Sequence, residues 1–129
     1  MKLYRALAAL LTVAALVVGP MSPALASDAD VVRRSGDCSA RSNWELKGKH
    51  DDGRLEIEYE VDTSRVGREW RVRLTDNGDR IFRGTRTTNA ASGSFTVEIR
   101  RPNLSGPDVI RARAVDTVNG EICRGRITL

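Results

Sequence analysis

With 129 residues, 40% hydrophobic and 29% charged, the chain is long enough for one hydrophobic core and too short for two. The formal net charge is +4, and 18 of the 21 basic residues are arginine, so where the arginines fall matters more than the total. One histidine and two cysteines leave no Cys/His set with metal-ligand spacing, which excludes zinc-finger and zinc-hydrolase readings.

The chain begins with Lys2 and Arg5, then an apolar run over residues 6–18 broken only by Thr12. Pro20 and Pro23 lead into Ala24-Leu25-Ala26, the small-x-small pattern of a signal peptidase site, which predicts a signal peptide over residues 1–26 cleaved after Ala26. The run falls short of the roughly 18 to 20 apolar residues that span a bilayer, and no later stretch is apolar enough, so no membrane span is expected after cleavage. No cysteine near the cleavage site points to a lipoprotein. The expected product is an exported, extracellular domain carrying 19 basic and 17 acidic residues. Residues 27–36 read as a flexible polar lead-in and residues 37–129 as the folded domain. Export to an oxidising compartment makes a disulfide between Cys38 and Cys123 the default; a metal site or reactive thiol lacks neighbouring ligands.

Within the domain the apolar period is two throughout. Cys38, Ala40, Trp44 and Leu46 mark a first strand, with Arg41, Glu45 and Lys47 facing the other way. A turn over residues 49–53 with Asp-Gly chemistry leads into residues 54–62. There Leu55, Ile57, Tyr59 and Val61 alternate without a break against Glu56, Glu58, Glu60 and Asp62, the pattern of a half-buried antiparallel strand. A third strand places Trp70, Val72 and Leu74 inward and Arg71 and Arg73 outward. Asp76-Asn77-Gly78-Asp79 then signals a hairpin. A three-residue loop with Gly78 in a bulge pairs position 72 with 82 and keeps Phe82 inside, where burial stabilises by roughly 1.5 to 3 kcal/mol. Ile81 and Arg83 are then outward. After a polar turn at 89–93, Phe95, Val97 and Ile99 alternate again. A connection over residues 102–107 leads to two last strands, 108–116 and 121–129, around Asn119-Gly120. A two-residue type I′ turn there sets Ala114 opposite Gly125, Ala112 opposite Ile127 and Ile110 opposite Leu129.

Seven short strands with frequent turns and no helical period predict an all-β sandwich or small barrel. In strand number, length and the inward Trp70 on the third strand, residues 38–129 resemble immunoglobulin-like and fibronectin type III sandwiches. Ile110 stands where a tyrosine is usual, and Cys38 with Cys123 suggests a tie between first and last strands instead of the antibody pairing. The chain also resembles small exported proteins of GC-rich Gram-positive bacteria, whose coding favours arginine. The resemblance implies a seven-stranded antiparallel immunoglobulin-like β-sandwich with one disulfide, in which strands three, four, six and seven share a sheet. Its outward face would carry Glu69, Ile81 and seven arginines: Arg71, Arg73, Arg83, Arg111, Arg113, Arg124 and Arg126. The other sheet would present Glu45, Glu56, Glu58, Glu60, Asp62 and Glu98 against Lys47, Arg54 and Arg100. The registers above set Arg113 opposite Arg126 and Arg71 opposite Arg83, a like-charge arrangement that destabilises by a few tenths to about 1 kcal/mol per pair.

Those seven arginines form the candidate anion-binding face, since the planar guanidinium fork suits phosphate, sulfate or carboxylate. The expected role is a non-enzymatic binding or adhesion module for an anionic cell-surface polymer. The alternatives are a solvated face, head-to-tail docking on the acidic sheet of a second copy, and a secreted inhibitor of an extracellular hydrolase acting through the loops at 63–68, 86–93 or 102–107. Nucleic acid is a weaker partner, because every aromatic residue of the domain is claimed by the core and none is left to stack bases. His50 beside Asp51 and Asp52 is explained by a turn, and no Gly-x-Ser-x-Gly elbow is present, so no catalytic, cofactor or metal residue is assigned. The acidic hairpin at 76–79 lacks the spacing and distal glutamate of an EF-hand.

Overall fold

The computed structural model describes residues 30–129 and Gly19; the leader's cleavage site, the rest of residues 1–26 and the start of the lead-in lie outside the described residues. Eight strands follow one another: β1 (Val32–Asp37), β2 (Asn43–Asp51), β3 (Arg54–Asp62), β4 (Glu69–Asp76), β5 (Asp79–Thr87), β6 (Ser94–Pro102), β7 (Val109–Asp116) and β8 (Ile122–Thr128). They form two four-stranded antiparallel sheets, ordered β1-β2-β3-β6 and β5-β4-β7-β8. The predicted third, fourth, sixth and seventh strands, now β4, β5, β7 and β8, do share a sheet. The sheets meet at both sides, where β8 runs beside β1 and β2 and β5 approaches β6. Among the described residues no helix is long and apolar enough to cross a membrane.

The alternation in β3 works as its sequence dictates: Leu55, Ile57, Tyr59 and Val61 are buried, while the intervening glutamates are only partly covered. They meet Trp70, Val72 and Leu74 of β4, Val97 of β6, and Ile110, Ala112 and Ala114 of β7 in one core. The Trp70 ring lies 6.1 Å from the Phe95 ring, tilted by 50°, and the Tyr59 hydroxyl donates to the Cys123 carbonyl at 3.0 Å, so aromatic residues bridge the two sheets. On the other side Gly125 of β8 faces Trp44: a Cβ there would stand 2.7 Å from the indole, so the absent side chain lets β8 close onto β2.

Several expectations need correction. The strand count is eight, because part of the expected lead-in is β1, which pairs with β2 from Val32↔Gly48 to Asp37↔Asn43. Its polar, mostly exposed sequence hides it, since an edge strand on a nearly closed core has little to bury. Cys38 consequently sits in the β1–β2 connection, not in a strand, and Ala40 is exposed. The disulfide itself forms as expected: Cys38 joins Cys123 of β8 with Cα atoms 4.3 Å apart, across 85 residues of sequence. The same connection is held by Ser39 N–H donating to the Ile122 carbonyl at 2.8 Å, Ile122 N–H donating to the Ser39 hydroxyl at 2.8 Å, and Ser42 N–H donating to the buried Glu121 carboxylate at 2.8 Å.

Both later hairpins differ in register while keeping every side chain but Ile81 on its predicted face. At residues 76–79 the turn is a two-residue Asn77-Gly78 turn with positive φ at both positions, 49° and 88°. A bulge between Leu74 and Thr75 then restores the parity, so Phe82 lies opposite Leu74 and packs against the core. The bulge residue, Ile81, is partly buried against that core and not outward. At residues 117–120 the loop has four residues, closed by Asp116 N–H donating to the Glu121 carbonyl. The reason is Asp116: buried, its carboxylate accepts from the Val118 N–H at 2.7 Å and from Arg68 Nη2 at 2.7 Å, and this turn geometry satisfies both oxygens. Ile110 therefore faces Ile127, Ala112 faces Gly125 and Ala114 faces Cys123.

Candidate functional site

The seven predicted arginines are all exposed on one face of the β5-β4-β7-β8 sheet. The corrected registers change who faces whom. Arg83 lies opposite Arg73, not Arg71; Arg113 lies opposite Arg124, not Arg126; and Arg111 lies opposite Arg126. Because Arg73 also pairs with Arg113 across β4 and β7, four arginines stand in one line across all four strands: Arg83, Arg73, Arg113, Arg124. The next row toward the β4–β5 turn reads Arg80, Thr75, Arg111, Arg126, and the row on the other side reads Thr85, Arg71, Val115, Ile122.

Arg80 is an eighth member that the sequence reading left out. Its signal was the hairpin: once the two-residue turn and bulge are recognised, Arg80 falls opposite Thr75 and on the arginine face. Arg86 takes a different role at the inward register opposite Trp70, with its guanidinium 4.8 Å above the Phe82 ring, where it shields the rim of the core.

The face is hollowed along its middle. One open trough of about 840 Å³ is lined by Arg71, Arg73, Arg80, Arg83 and Arg113 with Thr85 and Val115. A second of about 540 Å³ is lined by Arg73, Arg111, Arg113, Arg124 and Arg126. Arg73, Thr75 and Arg113 border both, so the two hollows adjoin.

Among the described residues none of these eight arginines forms an ion pair. The pairs lie elsewhere, chiefly on the outer face of the other sheet. There Lys47 bridges Glu45 at 2.9 Å and Glu58 at 3.1 Å, Lys49 meets Glu56 at 3.2 Å, and Arg100 meets Glu56 at 3.2 Å. The hydrogen bonds that Lys47 donates to Glu45 and Glu58 hold its ammonium above its ordinary pKa. Arg33 and Asp37 on β1 and Lys49 and Asp51 on β2 join this face unanticipated, two bases and two acids, so it keeps its acidic excess while most of its bases are paired. The expected acidic sheet is acidic in excess, with most of its bases drawn into ion pairs.

His50 turns out to serve neither Asp51 nor Asp52. Its Nε2 lies 3.1 Å from Asp108 Oδ2, and Asp108 is buried. Asp76 sits beside the same carboxylate: burial, then the charge and hydrogen bond of Asp108, push its carboxyl above the ordinary value, with Arg101 opposing. At the other end, burial works to raise Asp116 but is outweighed by donors from Val118, Arg68 and Asn119, which hold it below the usual range. Asn77 donates to the Pro107 carbonyl and accepts from the Val109 N–H, both at 3.0 Å, so the acidic hairpin is a staple between loops.

The loops at 63–68 and 88–93 are bound to each other. Thr63 Oγ1 donates to the Gly93 carbonyl at 2.8 Å, Arg68 N–H donates to Thr88 Oγ1 at 2.9 Å, and Thr88 Oγ1 in turn donates to the Arg65 carbonyl. Exposed Val66 and Val118 project from the end of the sandwich where these loops meet the β7–β8 connection, which Thr117 N–H ties to the Glu69 carbonyl.

Set against family models, curated proteins and solved structures, the chain gives no match in any of the three comparisons.

Proposed function

We propose that this is an exported, non-enzymatic domain of immunoglobulin-like topology that binds an anionic partner through the arginine face of β5-β4-β7-β8. One observation carries the reading: eight exposed arginines on one sheet, four of them directly opposed in a line, with no carboxylate partner among the described residues. Directly opposed like charges cost a few tenths to about 1 kcal/mol per pair, a cost that an anion bridging two guanidinium forks offsets. Export is supported by the leader and by the disulfide, which belongs to oxidising compartments.

The test is binding of the purified chain to long-chain polyphosphate, a sulfated polysaccharide and duplex DNA, at low and high salt. Binding that weakens with salt and is lost in an Arg73→Glu, Arg113→Glu variant is the expected result. Failure of all three polymers to bind at low salt, or indifference to the double reversal, rejects the reading.

A second reading rests on Val66 and Val118, apolar side chains exposed on bound loops at one end of the sandwich. It makes the domain an inhibitor of an extracellular hydrolase. Culture medium passed over the immobilised chain would have to yield a hydrolase whose activity falls on binding; recovery of none removes it.

A further inference from the structure

The direction of the arginine line narrows the partner. Resting on the anion-binding reading above, we infer that the face takes a flexible linear polymer of repeated phosphate groups, lying across the strands along Arg83, Arg73, Arg113 and Arg124.

Opposed residues in an antiparallel pair have Cα atoms about 4.5 to 5.5 Å apart, and adjacent strands lie about 4.8 Å apart, so the four guanidinium groups spring from a line of roughly 15 Å. The line runs from one edge of the sheet to the other, because β5 and β8 are its outer strands. Along the strands no comparable line exists. Each run of outward arginines stops after two: Arg71 and Arg73 give way to Thr75, Arg113 to Val115 and Arg124 to Ile122. The adjoining troughs follow the same direction, one over β5, β4 and β7 and the other over β4, β7 and β8.

A single small anion satisfies one pair of forks and leaves the remaining opposed pairs uncompensated. A chain with charge at every unit neutralises all of them at once, and its successive contacts become effectively intramolecular. The chemistry of the rest of the face selects against single-stranded nucleic acid: the exposed large hydrophobic side chains of the described residues are Val66, Leu104 and Val118, none of them on this sheet face and none aromatic. Phosphates are gripped and no base is stacked.

The experiment compares two variants of equal charge. Arg73→Gln, Arg113→Gln interrupts the line; Arg71→Gln, Arg126→Gln removes two arginines beside it. The probes are long-chain polyphosphate, pyrophosphate and duplex DNA. For long-chain polyphosphate the slope of log K against log salt should be about −3 in the wild type, as four contacts on a flexible chain give, and should fall to about half that in the interrupted line. The interrupted line should lose affinity at least about tenfold more than the flanking variant, since two charge-assisted contacts are removed from the bound path. Pyrophosphate and DNA should bind far more weakly than the polymer. Equal losses in the two variants, or pyrophosphate or DNA binding as tightly as the polymer, would overturn the linear phosphate-polymer inference while leaving an anion-binding face. No binding of any probe would overturn both.

Discussion

The two sheets have four strands each and share one core, yet they handle surface charge in opposite ways. On β1-β2-β3-β6 each basic row has a carboxylate within reach, as Lys47 does between Glu45 and Glu58 and Glu56 does between Lys49 and Arg100. On β5-β4-β7-β8 arginine faces arginine from edge to edge, and no acid intervenes in the line. Both faces are solvent-exposed, so neither pattern is imposed by the core. The charges of the paired sheet are met within the free protein; on the reading proposed above, those of the unpaired one are met by an anion.

The largest effect should come from cutting what joins the two sheets. The disulfide ties the connection preceding β2 to β8 of the arginine sheet, across 85 residues. On the chain-entropy account a loop of that size stabilises by about 4 to 5 kcal/mol. A Cys38→Ser, Cys123→Ser variant should lose stability of that order in denaturant unfolding, with both sheets melting together. A loss confined to one sheet would mean that the halves are less coupled than their common core implies.

A smaller and more diagnostic pair of changes acts on the charges alone. Arg73→Thr with Arg113→Thr removes the centre of the line, and should stabilise the free protein by about 1 kcal/mol at low salt, a gain that shrinks as salt screens the repulsion. Glu56→Gln removes the acid between Lys49 and Arg100, and should destabilise by up to about 1 kcal/mol, a loss that also shrinks with salt. Opposite signs from two surface substitutions, read by denaturant unfolding at two salt concentrations, are the signature of the two treatments of charge.

How much of this was legible beforehand follows from what the sequence encodes locally. Alternation assigns Leu55, Tyr59, Trp70 and Arg113 to their faces without any knowledge of partners, and those assignments hold. Register is set at turns by side chains acting across space: Asp116 ordering its loop through Arg68, and the bulge after Leu74 that rescues Phe82 from a two-residue turn. Each change shifted pairing by two residues, so faces survived, Ile81 at the bulge excepted, while neighbours changed, and the four-arginine line was invisible until the registers were known. β1 was missed because an edge strand that buries little has no hydrophobic period to read. The partnership of His50 with Asp108 spans 58 residues and leaves no local trace.

The smallest effect belongs to Asp76, which borders the arginine sheet near Asp108, Asp79, Arg101 and, through Asp108, His50. Its carboxyl is raised in the folded state, so its contribution to stability is fully present below the ordinary value of about 3.9 and is lost as pH rises through the raised one. Asp76→Asn should therefore be more stable than wild type at neutral pH and indistinguishable from it near pH 3. Thermal unfolding at the two pH values checks this; a variant less stable at neutral pH would show that the ionised carboxylate is doing structural service.

The most direct test of the central claim is thermal unfolding of the wild type and the Arg73→Thr, Arg113→Thr variant at low salt, with and without saturating long-chain polyphosphate. A ligand held by the native arginine line stabilises in proportion to its binding, and only where the line is intact. The account predicts that the variant melts above the wild type alone and below it with polyphosphate, so that the order reverses. An unchanged order, with polyphosphate moving neither protein or both equally, would contradict it.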